Sequence, residues 1–270
     1  MTAYGLKLHK LVCLDRWLPW TEAPSVSNQA TYFSGHYRCH GLNIQALCDP
    51  DLIFMYIAVA APGKVNDLRA FNRCTDLLKW LDALPDEFYI FGDNAYTLSK
   101  RVLIPFTKPE MVAAGLDCDT EVLRTYNFYL SQLRMRIEMS FGRLTTKWRL
   151  LRKTLNYKLE KNAKIVRVCT KLHNYCIRME QKDGGGRIGI IEGEEFDPVE
   201  HGIDPMTGTG NQNSNNGFLE THPLDDTTVP PPMEQFSSLL PDASRRESIV
   251  EEIISRGLRR PDHNMERNLV

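Results

Sequence analysis

Ten consecutive apolar residues, 52–61, restrict this chain to a narrow set of folds. A strand that is apolar at every position has to be covered on both faces, which requires a sheet with helices packed against each side. The run is too short to cross a bilayer, because a membrane-spanning helix needs about 20 apolar residues. We therefore expect a fully buried strand over 53–60 in the interior of an α/β domain.

Further strands are predicted on either side of this buried run. Residues 6–14 and 42–48 are rich in apolar residues and end at Asp15 and Asp49. The Asp-Pro-Asp sequence that starts at Asp49 predicts a hairpin turn into the buried strand. A fourth strand, 88–91, ends at a Gly-Asp pair.

Helical patterns occupy much of the remaining chain up to residue 182. Short helices are predicted over 67–74 and 76–84, with Asp76 as an N-cap candidate. From Thr125 apolar residues recur every three or four positions, which predicts a long amphipathic helix, and a second one is predicted over 163–179. The predicted inward residues are Leu130, Leu133, Ile137, Phe141, Leu144 and Trp148 in the first, and Ile165, Val168, Cys169, Leu172, Tyr175 and Cys176 in the second. This order of strands and helices predicts a mixed sheet.

The net charge of −1 conceals a strong asymmetry along the chain. Residues 1–122 carry 11 Lys and Arg against 14 Asp and Glu, residues 123–182 carry 15 against 3, and residues 183–270 carry 7 against 17. The local balances are therefore −3, +12 and −10. A basic block followed by an acidic segment is typical of a chain with a polyanionic partner.

The composition also changes after residue 182. Runs of glycine, small polar residues and proline follow, and they cannot bury enough apolar surface to offset the chain entropy. We expect a folded domain over 1–182 and a largely disordered acidic tail over 183–270. One short helix is predicted near 244–256, capped by Ser244 and ended by Gly257.

Three acidic residues stand out by their positions. Asp15 and Asp93 each end a predicted strand, and Glu138 lies in the basic block. Each has an ordinary alternative, because an Asp after a strand is often a turn or cap residue and Glu138 can pair with Arg134 one helical turn away. Together, however, carboxylates at the ends of two adjacent strands can converge with a third from a helix laid across the sheet.

Such a cluster would have a definite chemistry. Oxygen ligands with little nitrogen or sulfur suit Mg²⁺ or Mn²⁺. Two such ions about 3.5–4 Å apart can activate a water and stabilise the leaving oxygen of a phosphodiester. Basic residues around it would hold a nucleic-acid backbone, or would simply form a solvated helix surface. The candidates are Arg134, Arg136, Arg143, Lys147, Arg149, Arg152 and Lys153.

Four short motifs occur in a fixed order: PGKVND at 62–67, GDNAY at 92–96, IEMSFGRL at 137–144 and LHN at 172–174. This series resembles the DDE endonuclease domain of PIF/Harbinger-type transposases and their domesticated relatives, over roughly residues 10–180. The resemblance implies an RNase H-like fold and divalent-metal-dependent cleavage and joining of DNA.

The resemblance also implies a set of site residues and partners. Its acidic triad maps onto Asp15, Asp93 and Glu138 as catalytic metal ligands. It implies a nuclear location, where otherwise a cytoplasmic one is expected. Relatives typically rely on a separate Myb/SANT-like DNA-binding protein. Asp67, in the first motif, either supports the metal site or caps the helix that starts there, and the cap is favoured. His173 either contacts phosphate or packs between helices, and packing is favoured.

Two departures from the family pattern support a competing hypothesis. The first acid is usually followed by Gly, which turns tightly beside a metal, whereas this chain has Arg16. On an extended strand Arg16 would point to the face opposite Asp15. Only 14 residues precede Asp15, so a truncated copy without the usual N-terminal helical region is expected. The alternative function is therefore a catalytically decayed or domesticated remnant that binds DNA or protein.

Overall fold

The computed structural model describes residues 12–114, 120–182 and 232–260. Predictions that concern residues 1–11 and the acidic segment 183–231 lie outside these ranges. Within the described ranges, no helix is both long enough and apolar enough to span a membrane.

A mixed sheet forms the centre of the domain. The strands of the described residues are Val12–Trp17 (β1), Phe33–Ser34 (β2), Cys39–His40 (β3), Leu42–Cys48 (β4), Phe54–Pro62 (β5), Ile90–Phe91 (β6) and Val102–Leu103 (β7). Five of them form one sheet in the order β5-β4-β1-β6-β7. β1, β4 and β5 pair antiparallel, and β6 and β7 run parallel to β1. β2 and β3 form a separate hairpin.

Helices cover both faces of this sheet. The α-helices of the described residues are Asp67–Asn72 (α1), Thr75–Ala83 (α2), Lys108–Ala114 (α3), Thr120–Lys147 (α4), Leu159–Lys182 (α5) and Ser244–Ser255 (α6). α4 and α5 pack on one face, and α1 and α2 pack on the other. β4 and β5 are consequently buried at every position. The predicted α/β class with a mixed sheet is confirmed, and the arrangement agrees with an RNase H-like fold.

The predicted inward face of the second long helix is partly wrong. Cys169 is buried and Ile165 packs against the core, but Val168, Leu172 and Tyr175 are 55%, 40% and 61% exposed. The buried face of α5 also includes His173 and Asn174, whose polar side chains are bonded to backbone groups of Leu52 and Phe54. Apolar periodicity alone therefore misplaces half of this face, because part of it is polar.

Residues 232–260 pack on the domain rather than apart from it. α6 lies against α4 and buries Ile249, Val250 and Ile253. Arg246 is also buried there; its Nη2 lies 2.7 Å from Glu110 Oε1. The predicted Ser244 cap is wrong, because Ser244 is the first residue of α6 and its amide donates to Asp242 Oδ1 at 2.8 Å. The helix ends at Ser255, and Gly257 follows with a left-handed φ of 59°.

Candidate active site

The first two acidic candidates lie on neighbouring parallel strands. Cys13 on β1 pairs with Phe91 on β6, and an acid follows each of them two residues later, Asp15 on β1 and Asp93 after β6. Asp15 lies inside β1, not beyond its end as the sequence predicted. Asp93 follows β6, and its Oδ1 accepts a hydrogen bond from the Ala95 amide at 2.9 Å, which closes a tight turn.

The third candidate, Glu138, comes from α4, which runs along β1. Cys13 Sγ donates to the carbonyl of Leu133 at 2.9 Å, near one end of the strand. The rings of Trp17 and Phe141 lie 5.7 Å apart near the other end. These contacts hold the Glu138 turn of α4 over the middle of β1, on the face that carries the first carboxylate.

Arg134 lies between two of the three carboxylates. Its Nη2 is 3.5 Å from Asp15 Oδ2 and 3.7 Å from Glu138 Oε1. The ordinary pairing of Glu138 with Arg134 is therefore present, and it extends to Asp15. The Asp15 and Arg134 side chains are 19% and 21% exposed, whereas that of Glu138 is 60% exposed.

The three carboxylates share one electrostatic environment. The pKa of Asp15 is raised from 3.8 to about 6, and burial is the largest cause. The negative charges of Asp93 and Glu138 contribute to this rise, whereas the hydrogen bond from the Arg16 amide and the charge of Arg134 oppose it. A carboxyl group that is costly to ionise without a counter-charge is suited to binding a cation.

The chemistry of the three side chains is suited to a hard divalent cation. All three are carboxylates, and the Arg134 guanidinium shows that a positive charge is accommodated between Asp15 and Glu138. In the described parts of the chain, no three acidic, His or Cys side chains are already close enough to hold a metal ion. A metal ion bound by these three carboxylates would have to replace Arg134 between Asp15 and Glu138.

Arg16 points away from the carboxylates. It pairs with Gln45 across the sheet, whereas Asp15 pairs with Ala46, so their side chains lie on opposite faces. Arg16 Nη1 lies 2.8 Å from Asp67 Oδ1. The favoured prediction that Asp67 caps α1 is wrong: Asn66 is the N-cap, and its Oδ1 accepts from the Arg69 amide.

A buried polar chain, which we did not predict, connects two of the sequence motifs. Tyr96 OH donates to Gln45 Oε1 at 2.9 Å, and Gln45 Nε2 donates to Asn43 Oδ1 at 2.8 Å. Asn43 Nδ2 in turn donates to the carbonyl of Val65 at 2.9 Å and to Asp67 Oδ1 at 3.4 Å. Asn43 and Gln45 are fully buried. The signal that could have revealed them is two polar side chains at alternate positions of an otherwise apolar strand.

Two glycines of the motifs are required by close packing. A Cβ on Gly92 would lie 2.8 Å from the ring of Tyr96, and a Cβ on Gly63 would lie 2.7 Å from the carbonyl oxygen of Tyr32. The loop after β6 therefore folds its tyrosine back over the glycine, which fixes where Asp93 leaves the sheet.

The predicted basic residues are not equivalent in the structure. Arg134 contacts the carboxylates, and Arg143 and Lys147 pair with Glu180 on α5. Arg152 donates to the hydroxyl of Thr146. Arg136 is half-buried, and Arg149, Arg152 and Lys153 are exposed on and beside the turn that follows α4.

The fourth motif serves the fold. His173 is 1% exposed, and its Nε2 lies 2.9 Å from the carbonyl of Leu52. Asn174 Nδ2 donates to the carbonyl of Phe54 at 2.8 Å, and its Oδ1 accepts from the amide of Phe54 at 2.9 Å. His173 is thus buried by packing, as favoured, but against Leu52 and Phe54 rather than between helices, and both residues hold the start of the edge strand β5.

The sequence comparison agrees with this geometry. A family model described as DDE superfamily endonuclease matches residues 18–174, more than half of the chain. The match includes Asp93 and Glu138 and begins three residues after Asp15. No curated protein and no solved structure matches the chain. The chain belongs to the DDE superfamily endonucleases, a family of metal-dependent nucleases that act on DNA.

Proposed function

We propose that this chain cleaves DNA phosphodiesters as a transposase-type nuclease, with Asp15, Asp93 and Glu138 as the ligands of Mg²⁺ or Mn²⁺. The observation that carries the proposal is that Asp93, after β6, and Glu138, on α4, both lie near Asp15 on the central strand β1. Bound there, the metal would supply an activated water and charge stabilisation at the scissile phosphate.

The chain's own residues have three tasks in this proposal. Asp15 and Asp93, held by the sheet, form the rigid part of the ligand set. Glu138 is the mobile part, because its side chain is 60% exposed and only paired with Arg134. Once Arg134 leaves the carboxylates, it is positioned to contact phosphate beside the site.

We also propose that the exposed cations after α4 hold the DNA backbone. Arg149, Arg152 and Lys153 are exposed and lie in a segment without acids, 139–159. Arg143 and Lys147 would exchange their partner Glu180 for phosphate. The motif series supports the finer assignment to the PIF/Harbinger type, with strand transfer, a nuclear location and a Myb/SANT-like partner as its corollaries.

The alternative function is a DNA- or protein-binding remnant without catalysis. The observation that favours it is the Arg134 guanidinium between two of the ligands, with no assembled metal cluster in the described residues. Arg16 does not favour it, because this side chain pairs with Asp67 on the opposite face.

Cleavage of supercoiled and end-sequence DNA with Mg²⁺ or Mn²⁺ distinguishes the two functions. We expect nicking by the unaltered protein and a loss of at least about a hundredfold in Asp93→Asn, because a ligand charge is removed. The matched control is Glu160→Gln, an exposed acid on α5. Equal nicking by the unaltered protein and Asp93→Asn would disprove the metal mechanism.

A further inference from the structure

The face of the sheet opposite Asp15 carries polar side chains that apolar packing does not require. Asp15 pairs with Ala46 across β1 and β4, and the next pair along the strands is Arg16 with Gln45, on the opposite face. The hydrogen bond from Gln45 to Asn43 shows that these two side chains of β4 lie on the same face. Both are fully buried, and a buried amide destabilises a fold unless its hydrogen bonds are made.

These side chains belong to the polar chain between Asp67 and Tyr96, and Arg16 extends it to β1. Arg16 Nη1 lies 2.8 Å from Asp67 Oδ1, so one end of the polar chain begins at the residue next to Asp15. The other end is Tyr96, in the turn that carries Asp93. The polar chain therefore connects the backbone around the first two carboxylates from behind the sheet.

Tyr96 attaches the turn after β6 to the interior. Its amide donates to the Asp93 carbonyl at 3.3 Å, and the Ala95 amide donates to Asp93 Oδ1 at 2.9 Å. The Tyr96 ring is buried against Gly92 and lies edge-on to Phe71, with 5.5 Å between the ring centres. A shift of this ring would therefore move the turn and the carboxylate on it.

The hydroxyl group adds direction to this packing. Burial is the largest cause that raises the pKa of Tyr96 well above its usual value, and the charges of Asp15, Asp67 and Asp93 contribute. The hydroxyl therefore stays protonated and donates to Gln45 Oε1 at 2.9 Å. A phenyl ring fills the same space, but it leaves the Gln45 oxygen buried without this donor.

We propose that Tyr96 and Gln45 are positioning residues, whose hydrogen bond fixes the turn after β6 and thereby sets where the Asp93 carboxylate lies relative to Asp15. Both act through Asp93, because both are buried and neither is one of the proposed ligands. The inference rests on the proposed function for what the carboxylates bind, whereas the placement of Asp93 can be measured without a metal.

The first test is amide hydrogen exchange of the full chain, measured by NMR without divalent metal. Tyr96→Phe removes the hydroxyl and keeps the ring, and Gln45→Leu removes the acceptor. We expect the two amides that donate to Asp93 to exchange about tenfold faster in each variant, because the lost hydrogen bond releases the turn. Tyr126→Phe is the matched control, since this buried tyrosine donates to the carbonyl of Ile104 at 3.4 Å and should leave both amides unchanged.

The second test measures the consequence for the site. Calorimetric titration should show Mn²⁺ binding about three- to tenfold weaker in Tyr96→Phe, and no weaker again when Gln45→Leu is added, because the two side chains share one hydrogen bond. In the nicking assay, kcat should fall about tenfold with an unchanged KM for DNA, since Tyr96 is buried and does not contact the substrate.

The outcomes separate positioning from general stability. Unchanged exchange of the two amides in Tyr96→Phe, or equal acceleration in Tyr126→Phe, would overturn the positioning role. Acceleration spread equally over β4 and β5 would do the same, because it would show a loss of stability throughout the sheet. Acceleration confined to the turn, in a protein that binds no Mn²⁺, would retain the positioning role and remove the proposed nuclease function.

Discussion

Among single residues, Asp49 makes the stability of the domain depend on pH. Its carboxyl group is buried in the turn between β4 and β5, where Oδ1 accepts a hydrogen bond from the Ile53 amide at 2.8 Å. Burial raises its pKa from 3.8 to about 7. The folded chain thus holds this proton more tightly than the unfolded chain, and the free energy of unfolding falls as pH rises through that window.

We expect Asp49→Asn to increase the free energy of unfolding by about 1–3 kcal/mol above pH 7 and to have little effect near pH 4. The amide removes the buried charge but keeps an oxygen for the Ile53 amide. Urea unfolding at several pH values measures the effect, with Glu251→Gln, an exposed acid of α6, as the control. A gain that is the same at every pH would contradict the assigned titration.

A second residue-scale prediction concerns the cation that lies between two proposed ligands. Arg134→Gln removes a positive charge 3.5 Å from Asp15 and 3.7 Å from Glu138, so Mn²⁺ binding should tighten by about three- to tenfold. Calorimetric titration with Mn²⁺ measures this, without any activity assay. Arg124→Gln, which removes an exposed arginine paired with Glu121 on the same helix, should leave affinity unchanged. Weaker binding in Arg134→Gln would show that the arginine supports the site.

The residues of the site differ in how far the sequence could predict them. The turn at Asp93 could be predicted, because a Gly-Asp pair after an apolar run is a local signal for a turn. The hydrogen bonds of the buried residues Asn43 and Gln45 depend on partners that are distant in sequence, Val65 and Tyr96. Such pairings are decided by tertiary packing, which local patterns do not contain.

At the scale of elements, the start of β5 is held by a single side chain of α5, and we call this contact the clamp. Asn174 donates to and accepts from the backbone of Phe54, and thus acts as one residue of a missing neighbouring strand. Asn174→Ala leaves both groups buried and unpaired, which we expect to cost about 2–3 kcal/mol and to lower Tm by roughly 4–12 °C. Thermal unfolding checks this against Gln132→Ala on the exposed side of α4; equal effects would contradict the clamp.

The two long helices show where sequence patterns succeed and fail. α4 follows its apolar stripe through Gly142, because buried leucines and aromatics recur at helical spacing along its whole length. α5 departs from its stripe, because Thr170, His173 and Asn174 take buried positions that their hydrogen bonds to backbone stabilise. The strands were predicted best where they are long and buried at every position, as in β4 and β5.

At the scale of the whole molecule, charge is segregated along the chain. Residues 183–231 contain ten Asp and Glu and one basic residue, Arg187. If this segment competes with DNA for the basic residues after α4, neutralising its acids to Asn and Gln should tighten DNA binding at low salt. The gain should shrink as salt is added, because screening shortens to about 10 Å at 0.1 M.

Anisotropy titrations of a duplex at several salt concentrations measure this effect. The control replaces the same number of neutral residues within 183–231. An affinity that is unchanged at the lowest salt would exclude competition by the acidic segment.

The packing of α6 against α4 has a topological consequence. α5 ends at Lys182 and α6 packs on the same core, so the segment 183–231 connects two parts of one folded body. A single backbone cut within it would leave two pieces that stay associated through the α4–α6 contact. Removal of everything after residue 182 would, in contrast, expose the apolar face of α4 that Ile249, Val250 and Ile253 cover.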